Sequence, residues 1–422
     1  MEKLIFHVDV NSAFLSWEAA KRVAAGEEDL RLIPSAIGGD REKRTGVILA
    51  KSIPAKKFGV KTGEPVGSAL RKCPDLFLAK PDFRLYEQNS RAFIAICKEY
   101  APVVEQVSID ECFLDMSGTE RIYSDPYEIA LTIKNAIRDR LGFTVNVGIS
   151  VNKLLAKMAS DFEKPDKIHT LFPEEIAKKL WPLPVGELYT VGAATAEKLN
   201  RARIMTIGDL ANADVNRIKA ILGLKPGQHI HNYANGIDDS PVLSEPEDAK
   251  GYSNSTTLSK DVVTSEGAYK ILLALADSVA ARMRMDGAKA RCVSVSIRDN
   301  TFKTRSHQRS LKDATDVTNE IYDLCRQLFD ELWDKKTPLR LLGVALTDID
   351  RTGGSQLSFF TDERREKQQK LDRAADAIRG RFGSGAIVRA STFDPDINVG
   401  RKHKAQADLK NTQSAHTEPH KK

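Results

Sequence analysis

No stretch of this chain approaches the run of about 18 apolar residues that a membrane span needs. Residues 1–11 also lack the apolar core and cleavage site of a secretory signal. These absences predict a soluble protein with no membrane partner. Cysteine is scarce: five thiols, at 73, 97, 112, 292 and 325, include no CxxC pair and no evenly spaced framework. That argues against a disulfide scaffold or a zinc site and for a reducing, cytoplasmic compartment. No charge of one sign dominates either. A net charge of +6, with 29% charged residues and a pI near 8.9, is compatible with an anionic partner but does not name one. What is present is size: 422 residues, 41% apolar, enough for several domains with real cores.

The pattern along the chain divides it. A buried-type strand over 4–8 enters a helix near 12–20, and a Gly/Pro-punctuated stretch to residue 80 holds strands at 33–37 and 46–49 and a helix at 66–72. Phe93, Ile94, Ile96, Cys97 and Tyr100 recur at helical spacing and predict a helix over 86–100. Strands at 103–107 and 112–116 flank a tight turn, followed by a helix at 126–141, a strand at 144–149 and a helix at 153–162. This alternation predicts an α+β sheet domain with helices on one face. From 173 to about 237 only short, Gly-broken helices follow, and 238–250 is polar and reads as an exposed linker. A second mixed unit has helices at 265–285 and 316–333 and strands at 292–298, 302–310 and 341–348. A charged helix over 362–381 follows, and the last twenty residues read as disordered.

Carboxylates stand where strands should bury Val or Ile. Asp9 lies in His7-Val8-Asp9-Val10-Asn11, and Asp110 and Glu111 lie in Ser108-Ile109-Asp110-Glu111-Cys112-Phe113-Leu114-Asp115. Acids in an apolar strand are costly unless solvated, paired or bound to a cation. Three hard oxygen ligands suit Mg²⁺ or Mn²⁺ and two-metal phosphoryl transfer, provided the segments meet in space. Neighbours on a straight strand point to opposite faces, so Asp110 and Glu111 converge only at a turn or bulge. On residue chemistry alone, solvated turn acids account for them equally well. Asp115 reads as structural.

Those two segments, with Val147-Gly148-Ile149-Ser150-Val151-Asn152-Lys153 and Leu155-Ala156-Lys157-Met158-Ala159-Ser160-Asp161, resemble the signature blocks of the Y-family translesion DNA polymerases. Order and spacing match from residue 1 to about 350, and the tail is similar to the bacterial DNA polymerase IV branch. The resemblance implies an α+β multidomain, right-hand polymerase. Its parts would be a palm (1–11 and 81–170), small fingers (12–80) and a helical thumb with a helix-hairpin-helix (171–238). A linker (239–250), a mixed α/β little finger (251–351), a clamp-binding tail with a helix (352–400) and a disordered tail (401–422) would follow.

It also implies roles. Asp9, Asp110 and Glu111 would be catalytic and hold two Mg²⁺, with Mn²⁺ able to substitute and the Val10 carbonyl a further ligand. Phe14 would be the aromatic gate that excludes a 2′-hydroxyl; its plain alternative is a helix-core aromatic. Lys51-Ser52-Ile53-Pro54-Ala55-Lys56 departs from the family, which shows Tyr and Arg where this chain has Ile53 and Lys56. Lysine supplies charge without the guanidinium fork, so nucleotide binding should be weaker. Lys51 is an added cation or a solvated surface lysine, and Lys164 matches a second phosphate-binding lysine.

Leu188-Tyr189-Thr190-Val191-Gly192-Ala193-Ala194 resembles a helix-hairpin-helix, with Val191, Gly192 and Ala194 against a DNA phosphate and Thr190 replacing the usual first glycine. A helix-turn-helix core is the alternative. Lys303, Arg305, His307 and Arg309 alternate along one strand and so share a face. Lys303, Arg305 and Arg309 would bind DNA, or form a solvated basic face. Gln356, Leu357, Phe359 and Phe360 look like a sliding-clamp peptide, a pattern short enough to arise by chance.

The resulting expectation is a monomeric, low-processivity, template-directed DNA polymerase acting in translesion synthesis on primer–template DNA and dNTPs, tethered by a sliding clamp. Its rivals are a catalytically silent DNA- and clamp-binding scaffold and a repair nuclease using the same acids.

Overall fold

The computed structural model describes residues 3–39, 46–123, 125–352 and 363–392. They form two compact units, the first ending at Pro246 and the second beginning at Glu247. The clamp-like peptide Gln356–Phe360 and the tail 401–422 lie outside the described residues.

The first unit opens with β1 (Ile5–Val10) and α1 (Ala13–Ala24). Next come β2 (Ser35–Gly38), β3 (Ile48–Lys51), α2 (Ile53–Lys57), α3 (Val66–Lys72) and β4 (Phe77–Ala79), whose strands make a small sheet ordered β3-β2-β4. Then α4 (Phe83–Tyr100), β5 (Val103–Gln106), β6 (Glu111–Asp115), α5 (Pro126–Leu141), β7 (Val145–Ser150), α6 (Lys153–Asp161) and β8 (Ile168–Thr170) complete a five-stranded sheet, β5-β6-β1-β7-β8. Local chemistry sets the helix ends. Asp125 caps α5 by accepting from the Tyr127 amide, Pro126 stands in its first turn, and Gly142 closes it with a φ of 76°. The Asn152 side chain caps α6 by accepting from the Leu155 amide.

All six residues of β1 are buried, because the sheet is covered on both sides. Strand alternation sends Phe6, Val8 and Val10 into a core shared with Phe93 and Ile96 of α4 and Ile133 and Ile137 of α5. Ile5, His7 and Asp9 face the other way, where Ile5 packs with Ala156 of α6. The expectation of helices on one face is therefore corrected: α6 covers the second face. Gly148 of β7 permits it, since a Cβ there would lie 2.0 Å from the Ala156 carbonyl oxygen and 2.5 Å from the Ser160 amide nitrogen. The far side of α6, through Leu154, Leu155 and Met158, joins the core of α7 (Ala193–Arg201), α8 (Ile207–Ala211), α9 (Val215–Leu222) and α10 (Leu224–Ala234). The polar stretch after α10 is tied down at its start. Asp238 accepts from the Leu154 amide, and the Leu243 amide donates to Glu105, which is also paired with Lys153 at 2.7 Å.

The second unit contains β9 (Gly251–Val262), α11 (Ser265–Met285), β10 (Lys289–Asp299), β11 (Thr304–Thr315), α12 (Thr318–Leu332) and β12 (Leu339–Asp350). Its antiparallel sheet runs β11-β10-β12-β9, with Val293, Val295 and Ile297 facing the apolar sides of α11 and α12. The strand β9 was not expected from sequence. A final helix, α13 (Glu363–Phe382), docks through charge: buried Asp372 accepts from the Thr318 amide and pairs with Arg389 at 3.0 Å, and Asp376 pairs with Arg284 at 2.6 Å. Its apolar Leu371, Ile378 and Phe382 remain exposed. No helix among the described residues is long and apolar enough to cross a membrane.

Candidate active site

The acids meet at one end of the five-stranded sheet. β1 and β6 pair antiparallel with Asp9 opposite Glu111, and the Val10 amide donates to the Asp110 carbonyl at 3.0 Å. Asp110 sits in the tight connection between β5 and β6, where the Val107 and Ser108 amides both donate to the Glu111 carbonyl. The Ser108 hydroxyl donates to Asp110 Oδ1 at 2.6 Å, which orients that carboxylate in the turn. This is the hairpin tip that two adjacent acids require to share a neighbourhood.

Each strand acid is met by a cation. Asp9 is buried and contacts Lys164 Nζ, which also holds Asp161 at 2.8 Å. Burial pushes the Asp9 pKa up, against the opposing pull of Lys164. Burial works against the charged form of Lys164 as well, but Asp9 and Asp161 outweigh it and raise that pKa. On Glu111, Oε2 accepts from His7 Nε2 at 3.2 Å and from Lys157 Nζ at 2.9 Å. These contacts, the His7 hydrogen bond first, draw the Glu111 pKa down to about 2. Among the described residues no three His, Cys, Asp or Glu side chains converge on a ready-made metal cage. The side chains of Asp9 and Glu111 are turned to lysines instead.

The loop carrying Lys164 is fixed by two amides. Buried Asn146, opposite Asp9 on β7, donates to the carbonyls of Ser160 (3.0 Å) and Glu163 (2.7 Å), and its oxygen accepts from Asn11 and the Lys167 amide. Asn11 Oδ1 accepts from the Asp166 amide at 3.0 Å. Neither Asn146 nor His7, Lys157, Ser160 and Asp161 was singled out from sequence. The available signal was a polar residue between apolar neighbours in a short strand, at 7 and at 146.

Phe14, in the first turn of α1, is half-buried and stacks on Tyr86 with centroids 4.5 Å apart and planes 12° apart. Phe83 meets it edge-on at 6.3 Å, and Trp17 tilts against it at 5.9 Å. The ring is therefore clamped and not free to yield. Lys51 ends β3, bonded to Thr62 Oγ1 at 3.2 Å, and its pKa is lowered by burial and by the like charge of Lys56. Two cations so close favour an anionic ligand. Ile53, at the start of α2, is exposed.

The remaining predicted residues are placed less favourably. Thr190 takes φ 74°, the left-handed conformation that glycine supplies in the usual motif. The Val191 side chain is buried and its amide donates to the Leu188 carbonyl, so Val191 offers no free donor. Gly192 caps α7, and the donors left at that helix start are those of Gly192, Ala193 and Ala194. Arg305, His307 and Arg309 do share a face, but it is the helix-side face, opposite Ile297, Val295 and Val293. Arg309 there forms a two-pronged pair with Glu331 at 2.6 and 2.9 Å, and Lys303 lies in the turn before β11.

Comparison with known proteins agrees with this architecture. Residues 8–161 match the impB/mucB/samB family, residues 249–359 its C-terminal domain, and residues 186–238 the DNA polymerase-iota thumb domain. The chain is 44% identical to a DNA polymerase IV of Clostridium acetobutylicum, over 94% of this chain and 100% of that one. It is 36% identical to DNA polymerase IV 1 of Bacillus subtilis, over 93% of each chain. A solved Y-family DNA polymerase chimera superimposes with a TM-score of 0.71 at 23% identity, covering 82% of this chain and 99% of the other, and so shares the fold.

Proposed function

The chain belongs to the Y-family of translesion DNA polymerases, in its DNA polymerase IV branch, and from that premise we propose that Asp9, Asp110 and Glu111 are its catalytic acids. It is a DNA-directed DNA polymerase of right-hand fold with a helix-hairpin-helix thumb. The single observation that carries the residue assignment is the register setting Asp9 opposite Glu111, with Asp110 bonded through its carbonyl to Val10.

The donor set fits divalent magnesium or manganese. All three ligands are carboxylates, and Asp9 is a buried acid whose ionised form gains from a nearby cation. These acids and the Val10 carbonyl would hold two such ions, which when bound would lower the pKa of the primer 3′-hydroxyl and neutralise charge at the leaving pyrophosphate. The protein's own task is then positioning and electrostatics. Lys164, Lys51 and Lys56 hold the triphosphate as point charges. Phe14, braced by Tyr86, lies under the sugar and excludes a 2′-hydroxyl, because a packed ring cannot absorb added volume.

In this reading the palm is 1–11 with 81–170, the fingers 12–80, the thumb 171–238 and the little finger 251–351. Gly192 and Ala194 present amides to a DNA phosphate. Lys303 and Arg305 contact DNA in the little finger, with Arg309 available only on leaving Glu331. The peptide Gln356-Leu357-Ser358-Phe359-Phe360 engages a sliding clamp, and the protein works as a cytoplasmic monomer. The assignment is tested on a primed template with dNTPs and Mg²⁺. Wild type should extend the primer and Asp110→Ala should not; equal extension by both would remove Asp110 from the chemistry.

A further inference from the structure

His7 is a histidine in the centre of a strand, fully buried, with both ring nitrogens engaged. Nε2 faces Glu111 Oε2 at 3.2 Å, and Nδ1 lies 2.7 Å from Ser160 Oγ. An ionised carboxylate only accepts, so the Glu111 contact requires the proton on Nε2. Nδ1 is then the acceptor, and the Ser160 hydroxyl, whose one hydrogen lies between Nδ1 and the Lys157 carbonyl at 2.8 Å, is the donor that faces it. The ring packs on Phe113, its cross-strand neighbour, at 4.8 Å between centroids, which sets its plane. Lys157 approaches the same Glu111 oxygen, Oε2, from α6. Both donors therefore grip one oxygen, and among the described residues Oε1 accepts no hydrogen bond.

We infer that His7 is a positioning residue for the polymerase reaction: with Ser160 behind it, it pins Glu111 Oε2 so that Oε1 is the oxygen presented to a divalent cation. The inference rests on the reading of Glu111 as a metal ligand. Outer-shell partners that orient a ligating side chain typically contribute about 10–100-fold in metal affinity. His7 has the attributes of such a partner. Its donor is directed, its second nitrogen is anchored, and its ring has no route to solvent. Ser160 is carried by the same helix that supplies Lys157, so both hydrogen bonds depend on α6 lying tight against Gly148.

The test uses the full chain, with Mn²⁺ alone as probe and binding read from loss of the free-ion electron paramagnetic resonance signal. His7→Phe keeps the ring volume and the Phe113 packing but removes the donor. It leaves the Ser160 hydroxyl an alternative acceptor, the Lys157 carbonyl at 2.8 Å. His7→Gln restores a donor toward Glu111. His7→Phe should weaken Mn²⁺ binding about 10–100-fold, and raise the Mg²⁺ concentration needed for half-maximal extension, with KM for primer–template unchanged. His7→Gln should recover most of both losses. Equal weakening by Phe and Gln would mean a packing role and overturn the inference, as would wild-type Mn²⁺ affinity in His7→Phe. Glu111→Gln separates the two readings. If it binds Mn²⁺ as wild type does, the ligand assignment itself falls. If it loses binding while His7→Phe does not, only the role of His7 falls.

Discussion

Gly148→Ala should damage the active site from behind. The added Cβ would stand 2.0 Å from the Ala156 oxygen, where ordinary contact begins at 3.4 Å, so about 1.4 Å of separation must be found. Both blocking atoms are backbone, so no side-chain rotation relieves the clash, and α6 itself has to move away from β7. Overpacking of this kind costs about 1–3 kcal/mol, and the backbone contacts place it at the upper end. In a unit of this size that lowers the melting temperature by roughly 6–12 °C. Activity should suffer more than stability. Lys157 and Ser160 ride on α6, and a retreat of even half that amount would stretch their contacts of 2.9 Å to Glu111 and 2.7 Å to His7 to about 3.6 and 3.4 Å, past the roughly 2.7–3.2 Å of a normal hydrogen bond. A displacement of about 1 Å near the reacting groups costs on the order of 100-fold in rate. Thermal melting and single-turnover primer extension check both halves. Gly380→Ala, where an added Cβ meets nothing within 4 Å, serves as the tolerated control. Unchanged melting and unchanged extension in Gly148→Ala would refute the claim that close approach of α6 supports the site.

Phe14→Ala should let ribonucleotides in. The ratio of dNTP to rNTP incorporation falls by about 100-fold, the order a shape-selective pocket achieves against one added hydroxyl, and an unchanged ratio would remove Phe14 as the gate. Tyr86→Phe should not destabilise the protein at neutral pH, because the buried Tyr86 hydroxyl makes no well-formed hydrogen bond, having only a weak contact with the Asp82 backbone. The same burial raises its pKa to about 12. For a raised acid the contribution is full below pH 10 and is lost as pH climbs through 12, so the variant should also flatten the alkaline fall in stability; lower melting in Tyr86→Phe would contradict both statements. Ile53→Tyr with Lys56→Arg should lower KM for dNTPs by adding a hydroxyl and a bidentate cation beside Lys51. Steady-state kinetics with unchanged KM would show that this wall does not limit nucleotide binding.

The fold was legible where periodicity and punctuation agreed. The expected helices at 66–72, 126–141 and 265–285 match α3, α5 and α11 end to end, because apolar spacing and breakers coincide there, with Asp125 and Thr264 capping the last two. The strand β9 was missed for a physical reason. Of its twelve residues only Tyr252 and Leu258 are buried, so it carries almost no apolar alternation and is held chiefly by its ladder to β12. The helix α13 was foreseen as a charged helix, without a use for its charges. They are the docking face, with Asp372, Asp376, Arg284 and Arg389 doing what apolar side chains usually do. Only three-dimensional pairing shows this use of charge.

The site follows the same logic with the signs reversed. Asp9, Asp110 and Glu111 stood out in sequence because each is an anomaly, an acid in apolar strand context. His7 did not stand out, because a histidine surrounded by Ile5, Phe6 and Val8 reads as one more buried strand residue. Its anchor, Ser160, comes from α6, on the face that the sequence pattern left uncovered. Lys157 was equally hidden in a block matched for its order and not for its charges, and Lys164 was read as a phosphate contact and not as the partner of Asp9. Yet they explain how two acids persist so near each other. Asp9 is neutralised by Lys164 and Glu111 by Lys157, with the His7 ring adding a hydrogen bond, so the folded chain carries its own counterions. On the proposed assignment, a divalent cation at Asp9 competes with the Lys164 pair already made, and a triphosphate that draws Lys164 away frees the buried carboxylate it was balancing. By reciprocity, nucleotide and metal binding then favour each other. On the same assignment the departures at Ile53 and Lys56 bear on more than nucleotide contact: a weaker grip on the triphosphate would also weaken the means by which Asp9 is released.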